Sequence, residues 1–475
     1  MTTLPQQART AAGLAAKALS ALWRESSGDP AALEGVELTG ADPVLPSSFA
    51  VGTAAQASIA AAALVAAELW RLRTGKRQQT AVDMRHAAIE CRSERYLRVA
   101  GRPTPDLWDK IAGTYRCGDG RWVRLHTNFP HHREGVLKLL GCAYERDAVE
   151  RALQSWSADD FETAAAEAGL VVAAMRSFAE WDAHPQGRAV AGLPALSIER
   201  IGDAPAAALP PAPRPLSGVR VLDLTRIIAG PVGGRTMAAH GADVLLVTSP
   251  HLPFVEQLVI DTGRGKLSTH VDLRDPGGRE ALIFLLRGAD VFVQGYRPGG
   301  LAALGFGPQE AARVRPGIVY VSLSAYGHEG PWRGRRGFDS LVQTASGFNH
   351  AEAQAAGSDK PHPLPMQVLD HATGYFMAFG AMTALARRTR EGGSWHVRVS
   401  LAQTGHWVRN LGRVENGLAC PDPKLEDVRD LLEEGDSGFG RLTFVRHAAR
   451  LSETPPHWSR PSVPLGTHRP EWPDG

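Results

Sequence analysis

The segment Tyr320–Gly347 contains Asp339, the residue whose position most suggests chemistry. It reads YVSLSAYGHEGPWRGRRGFDSLVQTASG, so a strand-like run leads into a glycine-rich loop and Asp339 precedes a predicted helix. Ligands of open α/β sheets bind at the carboxyl ends of strands, and a carboxylate at that place is a candidate nucleophile or base. An aspartate before a helix is also a common N-cap. The local sequence alone favours the capping role and leaves the catalytic role open.

Basic residues beside glycines form a second group. Tyr296 and Arg297 lie in the turn VQGYRPGGL, and Lys266 lies in the loop GRGK, before a strand predicted at Thr269–Leu273. Glycine allows backbone N–H groups to approach phosphate oxygens, and a neighbouring cation adds charge-assisted hydrogen bonds. These segments could therefore bind phosphate groups, although each taken alone fits solvated surface charge better.

The remaining candidates give weaker signals. The His131-His132 pair has no carboxylate at ligand spacing, so no metal site is predicted. His328 lies in the glycine-rich loop and could act as an acid or a base. The pair Asp370-His371 lies at another predicted helix start, and we interpret it as a capping pair.

Strands and helices alternate around these residues. Strands are predicted at Val219–Leu224, Val244–Val247, Val291–Val293 and Ile318–Leu323, with helical segments between them. This alternation predicts an α/β fold with a mostly parallel sheet. The first strand-to-helix turn reads TRIIAGPVGG and lacks the GxGxxG fingerprint of dinucleotide binding.

The chain divides near residues 203–217, DAPAAALPPAPRPLS, whose five prolines predict a stiff connector. Upstream of it we predict an Ala-rich helix, a strand at Thr80–Met84 and a hairpin turning at Asp119-Gly120. The helix and strand of Ala57–Met84 align without gaps on Gly374–Leu401. This match favours an internal duplication.

Composition excludes several classes of protein. The chain has 475 residues, 43% of them hydrophobic, and a net charge of +2, which argues against a broad nucleic-acid footprint. Four cysteines without a CxxC pair argue against a disulfide scaffold and fit a reducing compartment. The most apolar run, Ala54–Trp70, is shorter than a membrane span. We therefore expect a cytoplasmic protein with no membrane or nucleic-acid partner.

An ordered set of segments in residues 216–345 resembles the opening domain of the class III CoA-transferases (CaiB/BaiF type), which include formyl-CoA transferase and carnitine CoA-transferase. The segments are LSGVRVLDLTRIIAGP, GADVLLV, GRGKLSTHVDLRD, ADVFVQGYRPGGLAALGFG, IVYVSLSAYGHEGP and RGFDSLVQTASG. The N-terminal part is similar to the family's later section, in IAGTYRCGDGRWVRLH and EWDAHPQGRAV. The family's segments therefore occur here in a rearranged order.

The resemblance implies a Rossmann-like, mostly parallel open sheet with flanking helices plus a smaller α+β domain. We expect a helix-rich region with the small domain over residues 1–205 and a linker over 206–217. A Rossmann-like CoA-binding domain would follow over 218–401, and a C-terminal extension over 402–475 would pack back on the domains. Family members form interlocked dimers, which implies a homodimer.

The resemblance also implies the site residues. The family's catalytic aspartate falls on Asp339. Its CoA contacts fall on six positions, namely Arg226, Ile227, Lys266, Tyr296, Arg297 and Tyr326. The implied substrates are an acyl-CoA and a small carboxylic acid, with CoA as a substrate and no tightly bound cofactor or metal.

Departures from the family pattern keep other functions open. Gly295 replaces the asparagine of the family's turn, and Ala303 stands where formyl-CoA transferase has a CoA-contacting arginine. Phe338 precedes Asp339 where related racemases carry histidine, which favours transfer. We therefore expect a CoA-transferase that forms an aspartyl intermediate. The alternatives are an acyl-CoA isomerase or racemase, with His328 as the partner of Asp339, and a non-catalytic acyl-CoA binding protein.

Overall fold

The computed structural model describes the backbone of residues 6–473 and the side chains from residue 13 onward. The α-helices are α1 Gln6–Glu25, α2 Val51–Thr74, α3 Met84–Glu90, α4 Ser93–Tyr96, α5 Pro130–Leu140, α6 Arg146–Leu153, α7 Ala158–Glu167, α8 Phe178–Ala183, α9 Pro185–Ala191, α10 Ala229–Ala239, α11 Glu256–Thr262, α12 Pro276–Arg287, α13 Pro308–Val314, α14 Asp339–Ala345, α15 Phe348–Ala355, α16 Val368–Glu391 and α17 Leu401–Asn410. Short 3-10 helices lie at Pro30–Gly35, Ala302–Leu304, Gly417–Ala419 and Leu425–Leu431.

The strands are β1 Val36–Thr39, β2 Thr80–Asp83, β3 Arg98–Val99, β4 Arg102–Pro103, β5 Gly113–Arg116, β6 Trp122–Leu125, β7 Val172–Ala174, β8 Leu196–Gly202, β9 Arg220–Leu224, β10 Asp243–Thr248, β11 Lys266–His270, β12 Val291–Gln294, β13 Val319–Ser324, β14 Ser394–Ser400, β15 Leu432–Gly435, β16 Leu442–Val445 and β17 Ala449–Leu451.

A seven-stranded sheet organises the C-terminal part, in the order β11-β10-β9-β12-β13-β14-β8. Its pairings are parallel except for β8, which runs antiparallel to β14 at one edge. Helices cover both faces, so the central strands are almost wholly buried and read as continuous apolar runs. The predicted α/β fold with a mostly parallel sheet is confirmed.

The two parts of the chain share this sheet and its core. Strand β8 belongs to the N-terminal part, and α2 packs against α16 within one continuous apolar cluster. The C-terminal extension pairs with N-terminal strands, β16 with β3 and β17 with β2. The hairpin at Asp119-Gly120 forms β5 and β6, which build a smaller sheet with β7. Strands β6 and β7 of this smaller sheet contact α14, so the small domain lies at the carboxyl edge of the seven-stranded sheet.

The duplicated segments adopt the same local structure. Helices α2 and α16 begin at the aligned residues Val51 and Val368, and both are 24 residues long. Each ends at a glycine with positive φ, Gly75 at 75° and Gly392 at 64°, a conformation that costs glycine little. A strand and a further helix follow in both copies. The repeated sequence therefore encodes a repeated helix–strand–helix unit.

Helix α2 is longer than the apolar run recognised in the sequence. Within residues 6–473, it alone is long and apolar enough to cross a membrane. Of its most apolar window, 94% is buried inside the protein. Its apolar surface is therefore taken up by the core that it shares with α16.

Candidate active site

Asp339 is fixed by three hydrogen bonds in the protein interior. It is the first residue of α14 and only 2% exposed. Its Oδ2 accepts from the backbone N–H groups of Leu369 and Asp370, at 2.9 and 3.1 Å, and its Oδ1 accepts from Gln343 Nε2 at 2.5 Å. The prediction that Asp339 caps its own helix is therefore wrong. It caps the amino terminus of α16, because the free N–H groups there point at its carboxylate.

The amide of Gln343 is itself held in place. Gln343 lies four residues after Asp339, one turn along the same face of α14. Its Oε1 accepts a hydrogen bond from the Leu364 backbone N–H at 3.0 Å. This contact directs Nε2 towards Asp339, so the orientation of the carboxylate is set by α14, α16 and the loop that precedes α16.

Burial and hydrogen bonding act in opposite directions on Asp339. Burial raises the pKa of Asp339 from 3.8 to about 6, while the hydrogen bonds from Asp370, Gln343 and Leu369 lower it. A carboxyl with this pKa is mainly ionised at neutral pH, yet it is a stronger base than an exposed aspartate.

Two connected cavities lie beside this carboxylate. The larger, which we call the cleft, has a volume of about 320 Å³. The smaller, which we call the inner cavity, has a volume of about 40 Å³ and is lined by Asp339, Ser340 and His126. The cleft and the inner cavity share Phe129, Ile227, Ile228, Phe338 and Asp370. The carboxylate therefore lies in a small cavity that shares part of its wall with the cleft.

Several elements contribute walls to the cleft. The turn after β9 supplies Arg226 and Ile227, the turn after β12 supplies Tyr296 and Arg297, and the small domain supplies Phe129. Four of the predicted CoA contacts thus line one cleft, although they come from distant parts of the sequence.

Ile227 adopts a strained backbone conformation at this place. Its φ is 75°, in the left-handed region that a β-branched residue rarely occupies. Such outliers persist where the surroundings determine the backbone, and they cluster at functional sites. Ile227 lines both the cleft and the inner cavity, so the strain lies where the two meet.

The charge on the cleft wall is mainly positive. Arg226, Arg297, Arg335 and Arg336 line the cleft, and Asp370 is the one carboxyl residue in its described lining. The Arg226 guanidinium lies over the Phe129 ring, 5.3 Å from its centroid, and donates to the Pro253 carbonyl. A concave surface with this balance favours an anionic ligand.

Two predicted CoA contacts do not reach the cleft. Lys266 begins strand β11 instead of preceding a strand, and it is 2% exposed. Its ammonium donates to Asp223 Oδ2 at 2.9 Å and to the Pro231 carbonyl at 2.8 Å. Lys266 therefore ties β11 to β9 and to the start of α10, and the expectation of a phosphate contact is wrong for this residue.

Tyr326 is likewise directed into the interior. It is 1% exposed, and its ring packs edge-on against Trp332 at a centroid distance of 5.0 Å. Burial raises the pKa of Tyr326 to about 12. His328, the expected partner of Asp339 in an isomerase, lines neither the cleft nor the inner cavity.

The structure also shows functional candidates that the sequence did not reveal. The His126 ring stacks on Phe338 at a centroid distance of 3.9 Å, and burial lowers the pKa of His126 to about 3.

Asp370 is not the capping residue that we expected, because Asp339 caps its helix. His371 meets Glu94, with 3.3 Å between Nε2 and Oε2.

Comparison with known proteins now identifies the family. The model of CoA-transferase family III matches residues 5–212 and 216–416. The chain therefore belongs to this family, and the family resemblance noted in the sequence is confirmed. Both parts of the chain are matched, which agrees with their shared core.

Individual relatives cover different shares of the chain. An acyl-CoA transferase of Gibberella moniliformis is 29% identical over 420 residues, which are 78% of this chain and 73% of the relative. A succinyl-CoA:glutarate CoA-transferase of Mus musculus is 36% identical over 192 residues, 38% of this chain and 43% of the relative. A crystal structure of Rv3272 from Mycobacterium tuberculosis shares 33% identity and a TM-score of 0.39, covering 42% of this chain and 57% of that one. The chain thus matches less than two thirds of two of these three proteins.

Proposed function

We propose that this chain moves CoA from an acyl-CoA thioester to a carboxylic acid, with Asp339 as the covalent nucleophile. The observation that carries the proposal is the fixed, buried carboxylate of Asp339 in a cavity that joins an arginine-lined cleft. Membership of CoA-transferase family III supports it, and so do relatives named for CoA transfer to or from carboxylic acids.

The reaction divides into exchanges at one carboxylate. An Asp339 oxygen bonds to the thioester carbonyl carbon, the C–S bond breaks, and CoA leaves as a thiolate with the electron pair. The thiolate then attacks the aspartyl carbonyl of the mixed anhydride, which releases the donor acid and leaves an aspartyl-CoA thioester. The acceptor carboxylate repeats these two steps in reverse, giving its own CoA thioester and free Asp339. Covalent catalysis of this kind replaces one difficult step by easier ones.

The site has the properties that these steps require. Asp339 is ionised near neutral pH, because the pKa of its carboxyl is about 6. The arginines of the cleft can neutralise the phosphate groups of CoA through charge-assisted hydrogen bonds.

Trapping experiments test the proposal directly. The intact protein is incubated with a series of acyl-CoAs, with and without hydroxylamine, and digested for mass spectrometry. We expect an acyl or CoA adduct, and a hydroxamate with hydroxylamine, on the peptide that contains Asp339. Adducts located on another peptide, or none with any donor in a protein that transfers CoA, would reject Asp339 as the nucleophile.

Arg297 offers a test of CoA binding. Its guanidinium lines the cleft, and losing a charge-assisted phosphate contact costs about 1.5–3 kcal/mol, or roughly tenfold to more than a hundredfold in affinity. We therefore expect R297A to bind CoA more weakly in calorimetry while its thermal unfolding is unchanged. R313A is the matched control, because Arg313 is an exposed arginine on α13 outside the cleft lining. Equal CoA affinity in the two variants would remove Arg297 from the site.

A second candidate function is isomerisation of the acyl group. It is favoured by His126, which lines the inner cavity together with Asp339 and whose lowered pKa keeps it neutral. A neutral imidazole and a carboxylate could exchange a proton at the carbon next to the thioester. Solvent deuterium entering that position without CoA transfer, and lost in His126→Phe, would select isomerisation.

Oligomeric state and cellular location belong to the proposal as well. We propose a homodimer, because the family forms interlocked dimers, and a location in the cytoplasm. Light scattering of the purified full chain should give twice the mass of one chain. Fluorescence microscopy of the tagged full chain in its host should show signal throughout the cytoplasm.

A further inference from the structure

A buried glutamine of the N-terminal part holds the glycine-rich loop of the C-terminal part. We call residues 325–338, between β13 and α14, the cleft loop, because its residues 335–338 line the cleft. Gln186 lies in the first turn of α9 and is fully buried. It lines none of the described cavities, and the proposed reaction assigns it no role.

Both ends of the Gln186 amide bind the cleft loop. Its Nε2 donates to the carbonyl oxygens of Tyr326 at 2.8 Å and Glu329 at 2.9 Å, and its Oε1 accepts from the Trp332 backbone N–H at 2.6 Å. A primary amide has two N–H donors, and both are used here. The side chain therefore bridges three points of the loop between residues 326 and 332.

Little else holds this stretch of backbone. Among the described residues, the other backbone hydrogen bonds of residues 326–332 are made within the loop, from the Arg333 N–H to the Gly330 carbonyl and from the Arg335 N–H to the Trp332 carbonyl. Buried backbone groups need partners. Gln186 is thus the hydrogen-bonded link between this stretch and α9.

Trp332 connects this link to the cleft. Its ring packs against the His184 ring, at a centroid distance of 4.5 Å, beside the start of α9. The Arg335 guanidinium lies over the Trp332 ring, 4.1 Å from its centroid, and 3.6 Å from Glu162 Oε1. The position of Arg335 in the cleft wall therefore depends on Trp332, whose N–H is held by Gln186.

The nucleophile is held by a separate set of hydrogen bonds. Asp339 is fixed by the start of α16 and by Gln343, and none of these contacts involves Gln186. A displacement of the loop from α9 therefore changes the wall that faces the ligand before it changes the carboxylate.

We propose that Gln186 is a positioning residue for the CoA part of the substrate: it holds the cleft loop on α9 so that Arg335 and Arg336 face the anionic ligand. Its loss weakens binding more than it slows the chemical step. The N-terminal part thereby shapes a binding wall that belongs to the C-terminal part. This inference rests on the proposed function, since it takes CoA as the ligand of the cleft.

Gln186→Glu removes both N–H donors and keeps the size of the side chain. The new carboxylate meets two carbonyl oxygens, so we expect the loop to leave α9 and KM for the acyl-CoA to rise by about tenfold or more. The fall in kcat at saturating acyl-CoA should be the smaller change, as for an interaction used mainly in binding. A folded variant whose KM stays within about twofold of wild type, or whose kcat falls more than KM rises, overturns the proposal.

Gln56 provides the matched control for a purely structural effect. It is also a fully buried amide, its Nε2 donates to the carbonyls of Thr39 and Val82 at 2.8 Å each, and it lines none of the described cavities. Gln56→Glu should lower the unfolding temperature, as Gln186→Glu does, without changing KM. An equal rise in KM in both variants would indicate a general loss of packing and overturn the proposal.

Gly330→Ala tests the same contact without altering Gln186, and it serves if Gln186→Glu does not fold. The φ of Gly330 is 80°, and an added Cβ would lie 2.5 Å from Gln186 Oε1 and 2.8 Å from Ala189 Cβ. Alanine should therefore push the loop away from α9 and raise KM. Gly357→Ala is the control, because its φ is 65° but its added Cβ meets no atom within 4 Å. Equal KM values in the two alanine variants overturn the proposal.

Calorimetry with CoA distinguishes this inference from the proposed function, because binding needs no turnover. We expect Gln186→Glu and Gly330→Ala to bind CoA about tenfold or more weakly than wild type. Gln56→Glu and Gly357→Ala should bind it as wild type does. This pattern in a protein that transfers no CoA would reject the proposed function and support the positioning role. Equal CoA affinity in all five proteins overturns the positioning role, even if the wild type transfers CoA.

Discussion

The amino termini of α2 and α16 can be compared residue by residue, because the two helices belong to duplicated segments. Each is capped by a carboxylate from another part of the chain, Asp42 for α2 and Asp339 for α16. Asp42 also accepts a hydrogen bond from the Thr53 hydroxyl, whereas the charge of Asp339 contributes to raising the pKa of Asp370, after burial. One backbone arrangement thus supports a satisfied structural cap in one copy and a pair of competing carboxyls in the other.

Asp42 and Asp339 differ more in their surroundings than in the hydrogen bonds by which they cap a helix. Asp42 lines none of the described cavities, while Asp339 lines the inner cavity that joins the cleft. Burial raises the pKa of both carboxyls. A raised pKa therefore does not distinguish the two carboxyls, and what distinguishes them is the cavity that Asp339 lines.

The largest expected effect concerns the contact between the two duplicated helices, α2 and α16. Helix α16 packs against α2, so a fragment of residues 216–475 would expose the apolar face that α2 covers. We expect this fragment to aggregate and to bind the hydrophobic dye ANS, since large exposed apolar patches promote association. Co-expression with residues 1–215 is the control and should restore a soluble complex. A fragment that unfolds cooperatively and is fully active alone would show that residues 216–475 fold independently of the N-terminal part.

The next prediction compares the CoA-transfer activity of variants at the two capping residues, Asp339 and Asp42. Asn caps a helix about as well as Asp, so Asp339→Asn and Asp42→Asn should both fold. An amide cannot form the anhydride, so Asp339→Asn should lose on the order of 10³-fold or more in CoA transfer. Asp42→Asn should stay within about twofold of wild type, because Asp42 lines none of the described cavities. Near-normal transfer by Asp339→Asn would place the nucleophile elsewhere and would make the two caps chemically equivalent.

The sequence predicted the sheet better than it predicted the contacts of charged side chains. Runs such as Val219–Leu224 indicate buried parallel strands because both faces are apolar, and β9 is found at Arg220–Leu224. The role of Lys266 depends on Asp223, which is 43 residues away in sequence, and no local pattern shows that the two will meet. The lysine was therefore assigned to a phosphate when its partner is a buried carboxylate.

The sequence likewise predicted only part of the candidate site. The turns that hold Arg226 and Arg297 lie at the carboxyl edge of the sheet, so topology alone brings them together. Asp339 was recognised as a cap, but the helix that it caps lies after a loop whose path the sequence does not show. Asp370 was missed because an aspartate in a first helical turn is an ordinary feature. That Asp370 lines both cavities is a result of tertiary packing, which no local pattern shows.

The smallest effect that we predict is the pH dependence of the stability that Asp339 contributes. The folded state raises the pKa of Asp339 from 3.8 to about 6, so it holds the proton more tightly than the unfolded chain. Stability from this group is therefore fully present below about pH 4 and is lost as the pH rises through about 6. The two pKa values differ by about two units, which corresponds to a loss of up to about 3 kcal/mol.

Asp339→Asn does not ionise and keeps an oxygen that can accept the N–H groups of Leu369 and Asp370. Its free energy of unfolding should therefore match wild type near pH 4 and exceed it by an increasing margin up to pH 7. Urea unfolding at several pH values measures this difference, with Asp42→Asn as the matched cap. Because burial also raises the pKa of Asp42, the second variant should change in the same direction. A difference for Asp339→Asn that is independent of pH would show that its carboxyl ionises alike in the folded and unfolded chain.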